Sequence, residues 1–267
     1  MGLHEPVFLE SSGGKGLVIF IHGFMGSPHQ FELLAASACR QGYSTLSLLL
    51  PGHSCKPRDF GSCTAEIWQD YVDAEIERHS QRYESILLVG HSMGGLLALN
   101  SAVRFNDLIH GVFIIASPFK LSILTSQGSR ARMRFILSRK TDPIKSACLD
   151  LISVSLSPSL PLYILKPFIE LKKLMRETKS ILREVLVPVT AVYSHSDELS
   201  SVKSLEILKA GLSAAPFTQL LLSESLHAYF PGNEQELLEQ ALVEWLEVSG
   251  TELASAADYR LERSKAE

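Results

Sequence analysis

An apolar run, Ile86-Leu87-Leu88-Val89, leads straight into Gly90-His91-Ser92-Met93-Gly94-Gly95, and a helical apolar stretch, Leu96-Leu97-Ala98-Leu99, follows at once. A strand, a sharp turn carrying serine and then a helix is the context in which G-x-S-x-G makes a nucleophile elbow. Such a turn is strained and so tight that strand and helix nearly touch, which leaves no room for a Cβ two residues before or after the serine. Gly90 and Gly94 occupy those two places. Ser92 Oγ is thereby held clear of the sheet.

Around this turn, apolar runs bounded by turn residues alternate with amphipathic stretches, the pattern of a mostly parallel sheet covered by helices on both faces. Strands are predicted at Leu17–Ile21, Ser44–Leu50, Ser85–Val89, Gly111–Ala116, Val187–Tyr193 and Thr218–Leu222. Helices are predicted at Gln30–Arg40, Ala65–His79, Met93–Arg104 and Val202–Leu212, with a last one from Asn233, where Glu236 completes a capping box. Its apolar face reads Leu237, Leu238, Ala241, Leu242, Trp245 and Leu246. The 267 residues, 46% hydrophobic, can bury a full α/β core.

One stretch breaks the alternation. Residues 119–185 show no convincing strand and hold the apolar segment LISVSLSPSLPLYILKPFI, interrupted by Pro158, Pro161 and Pro167. Those prolines and Lys166 argue against a transmembrane helix and for an inserted helical cap over the carboxyl edge of the sheet. The core would then be 1–118 with 186–250, and 251–267 a polar C-terminal tail, frayed or packed as a short helix.

The net charge of −4, with no basic stripe interleaved with aromatics, gives nucleic-acid binding little support. The N-terminal MGLHEPVFLESSGGKG has no basic start before an apolar region, and Pro6 disfavours myristoylation, so a soluble, cytoplasmic protein is expected. Cys39, Cys55, Cys63 and Cys148 form no CxxC and have no His at ligand spacing, so free thiols are expected rather than a metal site. Cys55 and Cys63 could close a small loop.

Serine is a weak nucleophile alone and needs a base with an orienting acid, here in the chain order Ser, Asp or Glu, His. Asp197 stands in the turn after the strand Val187–Tyr193, with Glu198 as its nearest competitor, and Asp197 could also merely cap the following helix. His227 stands in the loop after the last strand. His195 reads as a turn residue at the rim, and His91 as structural, packed beside the nucleophile strand. An oxyanion needs two preorganised N–H groups. The amide of Met93, after the nucleophile, supplies one, and that of Phe24, in the loop His22-Gly23-Phe24-Met25-Gly26-Ser27, supplies the other.

HGFMGS after a strand, PGH at 51–53, Trp68-Gln69-Asp70, GHSMGG, HSD at 195–197 and His227 together resemble the carboxylesterase and monoacylglycerol-lipase branch of the α/β-hydrolase superfamily. The resemblance runs from about Leu17 to Leu246, with 119–185 matching only as a cap insertion. It implies the α/β-hydrolase fold, Ser92 as nucleophile, His227 as general base and then acid, Asp197 as its orienter, and the Phe24 and Met93 amides as oxyanion hole. One departure is PGHSCKP, where the lipase branch often carries a second glycine after the histidine.

The expected function is hydrolysis of short- to medium-chain carboxylic esters, monoacylglycerols among them, through an acyl-enzyme and without metal or organic cofactor. A lyase or carbon–carbon hydrolase of the menaquinone-pathway type is the alternative, with Arg130, Arg132 and Arg134 over the site for a polycarboxylate. A non-catalytic binding protein on the same fold is a third, against which the complete Ser, Asp, His set argues. Residues 119–185 hold 13 Lys or Arg against 5 Asp or Glu, so peripheral contact with anionic lipid surfaces is a further expectation beside the small-molecule ester.

Overall fold

The computed structural model describes residues 5–54, 56–122 and 143–264. Among these residues seven strands form one sheet in the order β1-β3-β2-β4-β5-β6-β7. They are β1 (Val7–Leu9), β2 (Leu17–Ile21), β3 (Ser44–Ser47), β4 (Ile86–His91), β5 (Ile109–Ile115), β6 (Val189–Ser194) and β7 (Phe217–Leu222). All neighbours pair in parallel except β1, which runs antiparallel to β3 at one edge. The α-helices among the described residues are α1 (Glu32–Arg40), α2 (Pro57–Ser62), α3 (Ala65–Ser80), α4 (Met93–Arg104), α5 (Pro143–Asp150), α6 (Leu160–Ile181), α7 (Lys203–Gly211) and α8 (Gly232–Ser264).

Period-2 alternation divides the apolar residues of the central strands between two cores. Leu17, Ile19 and Ile21, Ile86 and Leu88, and Val112 and Ile114 face one side, where Trp68 and Val72 of α3, Leu171 and Leu174 of α6 and Leu208 of α7 cover them. Val18 and Phe20, Leu87 and Val89, and Phe113 and Ile115 face the other, under Leu34 and Ala38 of α1 and Leu242 and Trp245 of α8. Each fully buried Leu, Ile, Val or Phe stabilises the fold by about 1.5–3 kcal/mol. Because the strands are parallel, their carboxyl ends share one edge of the sheet, the edge at which open α/β sheets bind ligands.

Several boundaries differ from those expected. Pro28 turns the start of the helix predicted from Gln30 into a 3-10 turn, Pro28–Phe31, before α1 begins at Glu32. The short β1 and α2 carry too few residues for a periodic signal. α8 begins at Gly232, so Asn233 lies inside its first turn rather than at the cap, and Leu237 is exposed while Leu238, Leu242, Trp245 and Leu246 are buried. The tail expected after residue 250 continues α8 without a break to Ser264, as its Ala, Glu, Leu and Arg content favours.

α6 also runs through Pro167, which was expected to interrupt it. Pro161 takes the first turn, where no amide is needed, and Pro167 forfeits one helical bond. Burial of Leu171 and Leu174 in the main core holds the helix across that gap. Among the described residues no helix is long and apolar enough to cross a membrane. Cys55 lies outside the described residues, and Cys39, Cys63 and Cys148 form no disulfide with one another.

Candidate active site

Four loops meet at the carboxyl edge of the sheet: residues 22–27 after β2, the elbow after β4, the turn after β6 and the loop after β7. At the elbow Ser92 adopts φ 53° and ψ −118°, a left-handed conformation rare for a side-chain-bearing residue. Its amide donates to the Ile115 carbonyl at 2.8 Å, tying the turn to β5. A Cβ on Gly90 would sit 2.4 Å from the Gly95 Cα, and one on Gly94 would sit 1.9 Å from the Ile21 carbonyl oxygen. Gly90 therefore lets the helix start touch its own strand, and Gly94 lets it touch β2.

The structure brings Ser92, Asp197 and His227 together, and all three are buried. Ser92 Oγ lies 2.9 Å from His227 Nε2, and His227 Nδ1 lies 2.9 Å from Asp197 Oδ2 and 3.1 Å from Oδ1. With Nδ1–H donating to the carboxylate, Nε2 is left as the acceptor for the serine hydroxyl. Asp197 Oδ1 also accepts the Leu199 and Ser200 amides, each at 2.7 Å, so the carboxylate is fixed by its own turn. It caps that turn and holds the imidazole at once. Burial opposes charge on His227, but the Asp197 carboxylate, its hydrogen bond and Glu198 outweigh burial and raise the imidazole above its ordinary value of 6.5.

Glu198 does not reach the His227 ring. Its Oε2 accepts the His227 backbone N–H at 3.0 Å. His195 is exposed in the turn, with its amide donating to Leu222. His91 is buried with Nε2 2.7 Å from the His227 carbonyl oxygen, and its ring centroid lies 4.9 Å from that of His227.

The loop carrying Phe24 is held by two histidines. His22 Nδ1–H donates to the Gly23 carbonyl at 2.9 Å, while its Nε2 accepts the Leu50 amide at 3.0 Å. His53 Nδ1–H donates to the Pro51 carbonyl at 3.1 Å, while its Nε2 accepts the Met25 amide at 3.2 Å. Only a neutral ring can make both bonds. Burial agrees, lowering His53 to about 4 and His22 well below its usual range. Trp68 Nε1–H shares the Pro51 carbonyl at 3.1 Å, and Ser153 closes the loop from above through its Oγ–H to the Gly26 carbonyl at 2.6 Å. Met25, at φ 61°, thus spends its amide on His53, whereas the Phe24 and Met93 amides have no acceptor among the described residues.

A cavity of about 370 Å³ opens over Ser92 and His227. Phe24 and Met25 line it from below, and Leu151, Ile152, Ile164 and Phe168 from the segment between β5 and β6. Among the described residues no group of three or more His, Cys, Asp or Glu could hold a metal ion. Arg130, Arg132 and Arg134, on which the lyase alternative rested, lie outside the described residues. Nothing in the sequence marks the contacts of Glu198 and His53 beyond the PGH motif at 51–53.

The sequence profile of the alpha/beta hydrolase family matches residues 18–246. A thermostable monoacylglycerol lipase of Bacillus sp. (strain H-257) is 24% identical over 90% of this chain and 93% of its own length. A carboxylesterase of Bacillus subtilis (strain 168) is 22% identical over 88% of this chain and 94% of its own. Among solved structures, the monoacylglycerol lipase of Paleococcus ferrophilus superimposes with a TM-score of 0.67 at 19% identity, covering 92% of this chain and 98% of that one.

Proposed function

Because the chain belongs to the alpha/beta hydrolase family, we propose that it is a serine hydrolase of carboxylic esters, with Ser92 as nucleophile, His227 as general base and Asp197 as its orienter. The observation that carries this reading is the unbroken line from Ser92 Oγ through His227 to Asp197, each link at 2.9 Å. His227 Nε2 takes the hydroxyl proton as Ser92 Oγ attacks the ester carbonyl. The resulting oxyanion accepts from the Phe24 and Met93 amides, the latter at the positive end of α4. Collapse of the tetrahedral intermediate breaks the carbon–oxygen bond, and His227 passes its proton to the departing alkoxide. Water, activated by the same imidazole, then releases the acid and restores Ser92.

The substrates proposed are short- to medium-chain acyl esters, with monoacylglycerols among them. The apolar cavity over Ser92 supports this, as do the names of the two Bacillus relatives. Leu151, Ile152, Ile164 and Phe168, from the segment between β5 and β6, supply the acyl pocket. A panel of chromogenic esters of rising chain length tests the assignment. Turnover should rise from acetyl to medium-chain esters and vanish in Ser92→Ala. Equal turnover on all chain lengths would remove the cap from substrate selection, and activity surviving in Ser92→Ala would remove the mechanism.

α6 supports the cap's proposed contact with lipid. Leu162, Leu165 and Ile169 are 80%, 65% and 55% exposed, and the same helix face continues through Lys172, Arg176 and Lys179. An apolar end followed by a basic end suits insertion among acyl chains beside anionic headgroups. Co-sedimentation with phosphatidylglycerol vesicles should be strong at low salt and weak at high salt, with phosphatidylcholine vesicles as control. No binding at low salt would leave the stripe as ordinary surface.

A further inference from the structure

The loop that carries His227 has no secondary structure of its own, so its shape depends on where its backbone groups find partners. The four amides that lead from β7 to His227 all have one. Glu234, in the first turn of α8, accepts the amides of Ser223, Glu224 and Ser225 at 2.7, 3.0 and 2.7 Å. The Leu226 amide donates to the Tyr229 carbonyl at 2.9 Å. At the apex, the two peptide groups flanking the His227 Cα are taken by side chains from the turn after β6 and the end of β4. Glu198 Oε2 accepts its N–H at 3.0 Å, and His91 Nε2–H donates to its carbonyl at 2.7 Å.

We propose that Glu198 and His91 are positioning residues for the general base, gripping the two peptide groups on either side of the His227 Cα and so setting its imidazole between Asp197 and Ser92. The proposal rests on the triad reading above. The grip is informative because of where its two halves originate. Glu198 follows Asp197 directly in the turn after β6, and His91 precedes Ser92 directly at the end of β4. Each partner of the imidazole thus has an adjacent residue that holds the imidazole's own backbone. Any drift of the loop from one partner is resisted from that partner's side, and reacting groups tolerate misplacement well below 1 Å.

His91 suits the task because burial first, then the nearby His227, keeps its ring neutral, at about 3, so that one nitrogen only carries a proton. The His227 carbonyl fixes that proton on Nε2. Nδ1 then has no hydrogen-bond partner among the described residues and faces the oxyanion loop, 3.1 Å from where a Cβ on Gly23 would stand. Glu198 adds charge to its grip, since with Asp197 it favours the protonated His227. The titratable groups packed around that ring are Asp197, Glu198 and His91, with Tyr193 behind Asp197 and Glu234 behind the loop.

Four variants separate positioning from simple structural support: Glu198→Gln, Glu198→Leu, His91→Gln and His91→Leu. All are assayed on a soluble ester for kcat, KM and pH profile, with unfolding temperature alongside. Each glutamine keeps the hydrogen-bonding atom, and each leucine removes it. The leucine variants should lose roughly tenfold to a hundredfold in kcat with KM little changed, and the glutamine variants should recover most of that loss. Glu198→Gln should also move the acid limb of kcat/KM to lower pH, because a negative charge beside His227 is gone, and His91→Gln should leave that limb in place. Glutamine and leucine variants of equal kcat, or an acid limb unmoved in Glu198→Gln, would overturn the proposal. Should a leucine variant fail to fold, alanine at the same position, which also removes the hydrogen-bonding atom, takes its place in the comparison. Fluorophosphonate labelling of Ser92 in the parent protein keeps this test apart from the functional reading. If Ser92 is unlabelled, the triad falls; if it is labelled and the variants behave alike, only the positioning role falls.

Discussion

Asp197 and Glu198 are adjacent carboxylates with different work, and the difference comes from where each side chain points. Asp197 turns inward to the imidazole ring, and Glu198 reaches past it to the backbone of the same histidine. Asp197→Asn and His227→Ala should therefore each cost several orders of magnitude in kcat, and neither loss should add to that of Ser92→Ala, because the three act as a unit. Full additivity in the double variants would contradict this. His227 must be neutral to accept the serine proton, and its carboxylate neighbours raise it above 6.5. Activity should climb with pH and reach its half-point above that value; a profile flat from about pH 5 to about pH 9 would contradict the base assignment.

At the scale of elements, the parallel strands were legible wherever burial on both faces left an unbroken apolar run. The predicted bounds Leu17–Ile21 and Met93–Arg104 are those of β2 and α4. The juxtaposition of Ser92, Asp197 and His227 was legible for the same reason, since each follows a readable strand and parallel strands end at one edge. The grips of Glu198, His53 and Glu234 were not, because which side chain meets a loop amide depends on the loop's path and leaves no periodic trace. Pro167 misled because local propensity counts the lost bond and not the core contacts beyond it. The elbow itself makes a sharp prediction. Gly94→Ala places a methyl against the Ile21 carbonyl, part of the rigid sheet, and should destabilise by about 3 kcal/mol or more while abolishing fluorophosphonate labelling. A Gly94→Ala protein with parental unfolding temperature and labelling rate would show that the contact of α4 with β2 is slack.

For the whole molecule, three buried histidines tie the site to acid stability. His22, His53 and His91 have folded values depressed by burial, so the unfolded chain binds protons that the folded one refuses. Their contribution is fully present above the unfolded value of 6.5 and is lost as pH falls toward the folded ones, on the order of 2 kcal/mol each by pH 5 for His53 and His91. His227, raised instead, contributes below 6.5 and loses its share as pH rises through its folded value. The sum should make the unfolding temperature fall steeply between about pH 6.5 and pH 4, and His53→Gln should shallow that fall; a curve unchanged by His53→Gln would contradict the neutral-ring account of the oxyanion loop. Ser92 is the residue on which the proposed chemistry depends. Intact-mass and peptide mapping after treatment with a fluorophosphonate should find one adduct, on Ser92, with esterase activity lost in step and a drop of about 10⁴ or more in kcat for a folded Ser92→Ala. An adduct on another residue, or a folded Ser92→Ala that still turns over ester, would contradict it.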